Sequence, residues 1–81
     1  MIIRFIVTEK AIKIMEENNT ITIIVRMDAT KKQIKEAFEK LYNVRVDKVN
    51  VLITPYGEKK AYVKLSKEYR AEELASKVGV I

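Results

Sequence analysis

The sequence predicts an α+β fold, a four-stranded antiparallel sheet with helices packed on it in the order β-α-β-α-β-β-α. Three observations carry this expectation. Apolar and polar residues alternate with period two in three separate stretches; a 3.6-residue stripe lies between the first two of these; and a Pro-Tyr-Gly-Glu turn joins the last two. No Gly/Pro/Ser linker, repeat or low-complexity run breaks the chain, and 81 residues allow one core, so residues 1–81 read as a single domain.

Each element has its own signal. Residues 2–7, Ile-Ile-Arg-Phe-Ile-Val, are β-prone. Thr8 offers a hydroxyl cap to a helix in which Ala11, Ile12 and Met15 recur at helical spacing, and Asn18-Asn19 stops it. From Thr20 to Met27 the period becomes two, with Ile21, Ile23, Val25 and Met27 on one face. Thr30 and Gln33 have capping-box spacing. They open a helix whose stripe is Ile34, Ala37, Phe38, Leu41 and Tyr42. Val49, Val51 and Ile53 then oppose Lys48, Asn50, Leu52 and Thr54. Past the turn at Pro55-Tyr56-Gly57-Glu58, Ala61, Val63 and Leu65 oppose Lys60, Tyr62 and Lys64, which completes a hairpin. The last helix starts near Ala71, carries Leu74, Ala75 and Val78, and ends at Gly79 as the residue after its cap.

Composition narrows the chemistry. The chain has no histidine and no cysteine, and its only serines are Ser66 and Ser76. That argues against disulfides, thiolate nucleophiles, imidazole acid–base catalysis and the usual zinc sites. No cofactor, metal or small-molecule substrate is expected, and no enzymatic activity. No segment has the roughly 18 apolar residues of a membrane span, and the apolar start lacks a basic front and a small-residue cleavage site.

Charge points toward binding. Sixteen Lys+Arg against eleven Asp+Glu leave +5, which suits a polyanion. Residues 1–29 and 67–81 are each neutral, residues 30–47 carry +2 and residues 48–66 carry +3, so the excess lies on the long helix and the hairpin. Period two puts Lys48, Asn50, Lys60, Tyr62 and Lys64 on one hairpin surface, where lysines fit phosphate oxygens and a ring can stack on a base. Lys31 and Lys32 stand at the positive end of the long helix. A solvated outer sheet face is the plain alternative for the lysines, and a simple cap is the plain one for Thr30 and Gln33.

Three stretches together resemble one family: Val7-Thr8-Glu9-Lys10-Ala11, Asp28-Ala29-Thr30-Lys31-Lys32-Gln33-Ile34-Lys35, and Val49-Asn50-Val51-Leu52-Ile53-Thr54-Pro55 with Gly57-Glu58-Lys59-Lys60-Ala61-Tyr62-Val63-Lys64-Leu65. They are similar to the large-subunit ribosomal protein L-twenty-three family in its archaeal form, over nearly the whole chain. The resemblance implies a cytoplasmic, ribosome-bound protein. Such a protein binds the third domain of the large ribosomal RNA beside the polypeptide exit tunnel, among neighbouring ribosomal proteins. It also implies a docking point for the signal recognition particle and the translocon, with trigger factor in bacteria, and no membrane insertion. By position, Glu9 matches the docking acid and Lys10 lies beside it near RNA. Lys31 matches the Ala-Thr-Lys lysine, Asn50 the asparagine of Val-Asn-Thr, and Lys59, Lys60 and Tyr62 the Lys-Lys-Ala-Tyr segment. The connection Pro55–Glu58 is short, so the long tunnel-lining hairpin of bacterial members is missing. Phe5 stands where a proline often occurs, and Val51 where threonine is usual.

Two readings of other classes compete with this one. A small acylphosphatase-like enzyme could use Arg4 or Arg26 with Asn50, although Gly57 and Gly79 are the only glycines and no phosphate cradle exists. A regulatory sheet domain could bind small ligands or dimerise through its sheet, and the charge on that face argues against a dry interface.

Overall fold

A computed structural model describes residues 2–79 of the chain. Its elements are β1 (Ile2–Phe5), α1 (Glu9–Asn18), β2 (Thr20–Val25), α2 (Lys31–Tyr42), β3 (Val46–Ile53), β4 (Lys59–Leu65) and α3 (Ala71–Lys77). The strands form one antiparallel sheet in the spatial order β1-β2-β4-β3. The α+β class and the element order are those the sequence predicts.

Local chemistry sets the boundaries. The Thr8 hydroxyl accepts from the Ala11 N–H at 3.1 Å and caps α1. Asn19 ends that helix in the left-handed region at φ 53°, which asparagine tolerates better than most residues. The Thr30–Gln33 capping box is complete: the Thr30 hydroxyl accepts from the Gln33 N–H at 3.2 Å, and the Gln33 Oε1 accepts from the Thr30 N–H at 3.0 Å. Gly57, at φ 80°, gives the hairpin turn its left-handed residue, and the Thr54 N–H closes that turn on the Glu58 carbonyl at 2.8 Å.

The helices cover one sheet face. Ile21, Ile23, Val25, Val46, Val49, Ala61, Val63 and Leu65 from the strands join Met15, Ile34, Phe38, Leu74 and Ala75 from the helices in one core. Phe38 and Tyr42 pack with their rings tilted at 59° and centroids 4.8 Å apart, and Phe5 meets Tyr42 edge-on at 6.0 Å. Phe5 therefore anchors β1 to the end of α2. The Glu39 carboxylate accepts the Val46 N–H at 2.8 Å and ties α2 to the start of β3.

α3 is held by a side chain from another element. No side chain of its own caps it. Instead the Asn19 Oδ1 accepts the Ala71 N–H at 2.7 Å, and the Asn19 Nδ2 donates to the carbonyl of Tyr69 at 2.7 Å. The same amide lies 3.3 and 3.4 Å from the carbonyls of Leu65 and Ser66. Asn19 thus ends one helix and caps another that lies about fifty residues on in the chain.

The structure differs from the sequence expectations at three places. β2 stops at Val25, and the chain turns at once, with the Ala29 N–H bonded to the Arg26 carbonyl at 3.0 Å, so Met27 lies outside the core and is exposed. β1 stops at Phe5, although the Ile6 N–H still bonds the Thr22 carbonyl at 3.0 Å. In α2 the stripe is narrower than its spacing suggests. Ile34 and Phe38 are buried, while Leu41 is 64% exposed because the i, i+4 row alone meets the sheet.

Candidate nucleic-acid interface

The face of the sheet away from the helices is where the predicted hairpin residues come together. Register pairs Lys48 with Lys64, Asn50 with Tyr62 and Leu52 with Lys60 across β3 and β4. β4 in turn pairs Lys64 with Thr20, Tyr62 with Thr22 and Lys60 with Ile24 on β2. Paired residues in antiparallel strands project to the same side. Lys48, Asn50, Lys60, Tyr62 and Lys64 therefore form one surface. A bulge between Val46 and Lys48 keeps that face in phase while both Val46 and Val49 remain buried.

The electrostatics of this surface are one-sided. Among the described residues the ion pairs are Arg4–Glu58 at 2.8 Å, Arg26–Asp28 at 3.4 Å, Arg45–Glu68 at 3.9 Å and Arg70–Glu72 at 4.0 Å. All four arginines of the chain are used in them, and no lysine is. Lys48 and Lys64 stand directly opposite each other, and Lys60 lies on the same face beyond the intervening Asn50–Tyr62 pair. Like charges placed across a strand pair repel, and a bound anion would relieve that repulsion. Glu58, the one acid in residues 48–66, is turned aside by Arg4, which reaches over β2 to it.

The other predicted residues fall elsewhere. Lys59 precedes Lys60 and so points to the opposite face. Its ammonium donates to the carbonyl of Ala29 at 2.5 Å and lies 3.4 Å from that of Met27, which fastens the loop before α2 to the start of β4. Lys59 is thus apart from the hairpin surface and occupied in the fold. Lys31 and Lys32 are exposed at the N-terminus of α2, at the sheet end marked by Lys59 and Ala29. Glu9 and Lys10 are exposed in the first turn of α1. That helix packs on β2 through Ala11 and Met15 on the helical side, so these two belong to a different surface.

Sequence reasoning missed three participants in the outer face. Arg4 joins it through its pair with Glu58, and Thr22 and Ile24 are buried within it, although period two would leave them open to solvent. Both lie on an interior strand, with Arg4 and Lys60 in register on either side of Ile24 and Tyr62 directly across from Thr22. Among the described residues no group of acidic side chains could hold a metal ion, and no helix is long and apolar enough to cross a membrane.

Comparison with known proteins fits this architecture. A model of the family described as "Ribosomal protein L23" matches residues 1–59. The match ends at the start of β4, but similarity continues beyond it. The "Large ribosomal subunit protein uL23" of Pyrobaculum aerophilum is 63% identical over 81 residues, covering 100% of each chain. The chain belongs to the L-twenty-three family of ribosomal proteins, structural components of the large subunit and not enzymes.

Proposed function

We propose that this protein binds the large ribosomal RNA through the outer face of its sheet. Lys48, Lys60 and Lys64 engage phosphates, Asn50 bonds to the RNA, and Tyr62 stacks on a base or sugar. The observation that carries the reading is the opposed pair Lys48–Lys64, with Lys60 on the same face, all without carboxylate partners among the described residues. Lys31 and Lys32 extend the positive field at the end of α2, where the helix dipole also favours phosphate. Lys10 adds a cation on the other surface, beside Glu9.

Family membership supports the rest of the reading: attachment to the third domain of the RNA beside the peptide exit tunnel, cytoplasmic residence on the ribosome, and contact with neighbouring ribosomal proteins. Glu9, exposed at the start of α1, is the proposed docking residue for the signal recognition particle and the translocon. Its separation from the lysine face lets both surfaces be used at once.

The test is the combined variant Lys60→Ala/Lys64→Ala, titrated against the third-domain transcript at several salt concentrations. Each lost phosphate contact lowers the slope of log K against log salt by roughly 0.7 to 0.9, so the pair should lower it by roughly 1.4 to 1.8. An unchanged slope would exclude the hairpin face as the binding surface.

A further inference from the structure

The middle of the outer face holds an unexplained group. Thr20, Thr22 and Ile24 face away from the helices, yet they are only 6%, 4% and 2% exposed. Thr20 is satisfied, because its hydroxyl donates to the Asn18 carbonyl at 2.9 Å. Ile24 is apolar and lies between Arg4 and Lys60. Thr22 differs from both. Its Oγ1 is buried and, among the described residues, is the side-chain polar atom left without any hydrogen-bond partner.

A buried hydroxyl without a partner has given up its water for nothing, and native proteins keep few of them. Valine has the same shape and the same β-branching and would fill this position without that loss. Its neighbours in register are Tyr62, directly across on β4, and Ile6, whose N–H bonds the Thr22 carbonyl, on the other side. Tyr62 is half-buried, and no side-chain hydrogen bond fixes it among the described residues.

We propose that Tyr62 is a movable cover and Thr22 a concealed RNA-binding group. When an RNA strand reaches the outer face, the ring turns outward to stack on a base, and the uncovered Thr22 hydroxyl bonds the strand's ribose hydroxyl or phosphate oxygen. This rests on the RNA-binding reading above and adds a residue and a motion to it. The unsatisfied hydroxyl burdens the free protein alone, so its relief contributes differential affinity for the bound conformation. Lys60 and Lys64, which flank Tyr62 on the same face of β4, bring phosphates to the place where the hydroxyl emerges.

The experiment compares the full-length protein with Thr22→Val and Thr22→Ser. Thermal unfolding of the free proteins and affinity for the third-domain transcript are both measured. Thr22→Val should raise the Tm by several degrees, and it should weaken RNA binding roughly 3- to 10-fold, the effect of one net hydrogen bond. Thr22→Ser, which keeps the hydroxyl, should retain wild-type affinity. In the complex, the nuclear Overhauser contact between the Thr22 methyl and the Tyr62 ring should disappear. Repeating the titration with a DNA strand of the same sequence separates the two acceptors: an equal loss for Thr22→Val assigns the phosphate, and a loss confined to RNA assigns the ribose hydroxyl. A Thr22→Val protein that is more stable and binds RNA as well as the wild type overturns the proposal while leaving the RNA reading intact. Failure of the wild type itself to bind the transcript removes both.

Discussion

Replacing Asn19 should detach α3 from the sheet while leaving the hairpin surface in place. The side chain makes two short bonds, both 2.7 Å, to Ala71 N and Tyr69 O, and the contacts to Leu65 O and Ser66 O are longer and share the same amide hydrogens. Two partly buried bonds are worth about 1 kcal/mol each net, and the unpaired Ala71 N–H adds a similar cost. Alanine must also adopt the φ of 53°, which costs about 1 kcal/mol more. Asn19→Ala should therefore destabilise the protein by about 3 to 4 kcal/mol, a large share of the roughly 4 to 12 expected for a domain of this size. Asn19→Gly removes the backbone cost and should recover about 1 kcal/mol of that loss. Asn19→Asp keeps the acceptor for Ala71 but turns a carboxylate oxygen toward the carbonyls of Tyr69, Leu65 and Ser66, so it should not rescue. Thermal unfolding by circular dichroism gives the total. Hydrogen exchange should show the amides of α3 losing protection before those of β2 and β4. A loss under 1 kcal/mol for Asn19→Ala, or uniform exchange across the chain, would refute the capping argument.

Three further outcomes follow from individual contacts. Lys59→Met should destabilise the fold by about 1 kcal/mol through its lost carbonyl contacts yet leave the salt slope of RNA binding unchanged, as seen by urea unfolding and by titration. Burial holds the Tyr42 hydroxyl above its ordinary pKa, which favours the neutral form in the folded state. That contribution is complete below the unfolded value near 10 and is lost as pH rises through the higher folded value, so Tyr42→Phe should show a smaller fall in stability above pH ~10 than the wild type. Glu9→Ala should reduce recruitment of the signal recognition particle to ribosomes in co-sedimentation while RNA affinity stays constant; an equal loss of both would make Glu9 a structural residue.

Much of this architecture is legible in the sequence because local rules decide it. The alternation in β3 and β4 sets which side chains share a face, and Thr8, Thr30 and Gln33 cap the helices that their spacing announces. Other features depend on the assembled fold. Lys59 belongs to the Lys-Lys-Ala-Tyr segment by motif, but adjacent strand residues point to opposite sides, so it faces the loop before α2 instead of the lysine surface. Thr22 and Ile24 are covered because β2 is an interior strand flanked by long side chains, and the pattern of β2 alone does not reveal which strands flank it. Asn19 reads as a helix stop from its neighbours in sequence. Its second role, capping α3, requires a partner about fifty residues away. Leu41 has helical spacing but lies outside the row that reaches the sheet.

A salt titration of the wild-type protein against the third-domain transcript, with an unrelated structured RNA of equal length alongside, tests the RNA-binding reading most directly. Selective binding should persist at physiological salt, because stacking by Tyr62 and hydrogen bonding by Asn50 add to the salt-sensitive lysine contacts. Equal binding to both RNAs that disappears as salt rises would contradict it, and would reduce the outer face to a solvated sheet surface with excess positive charge.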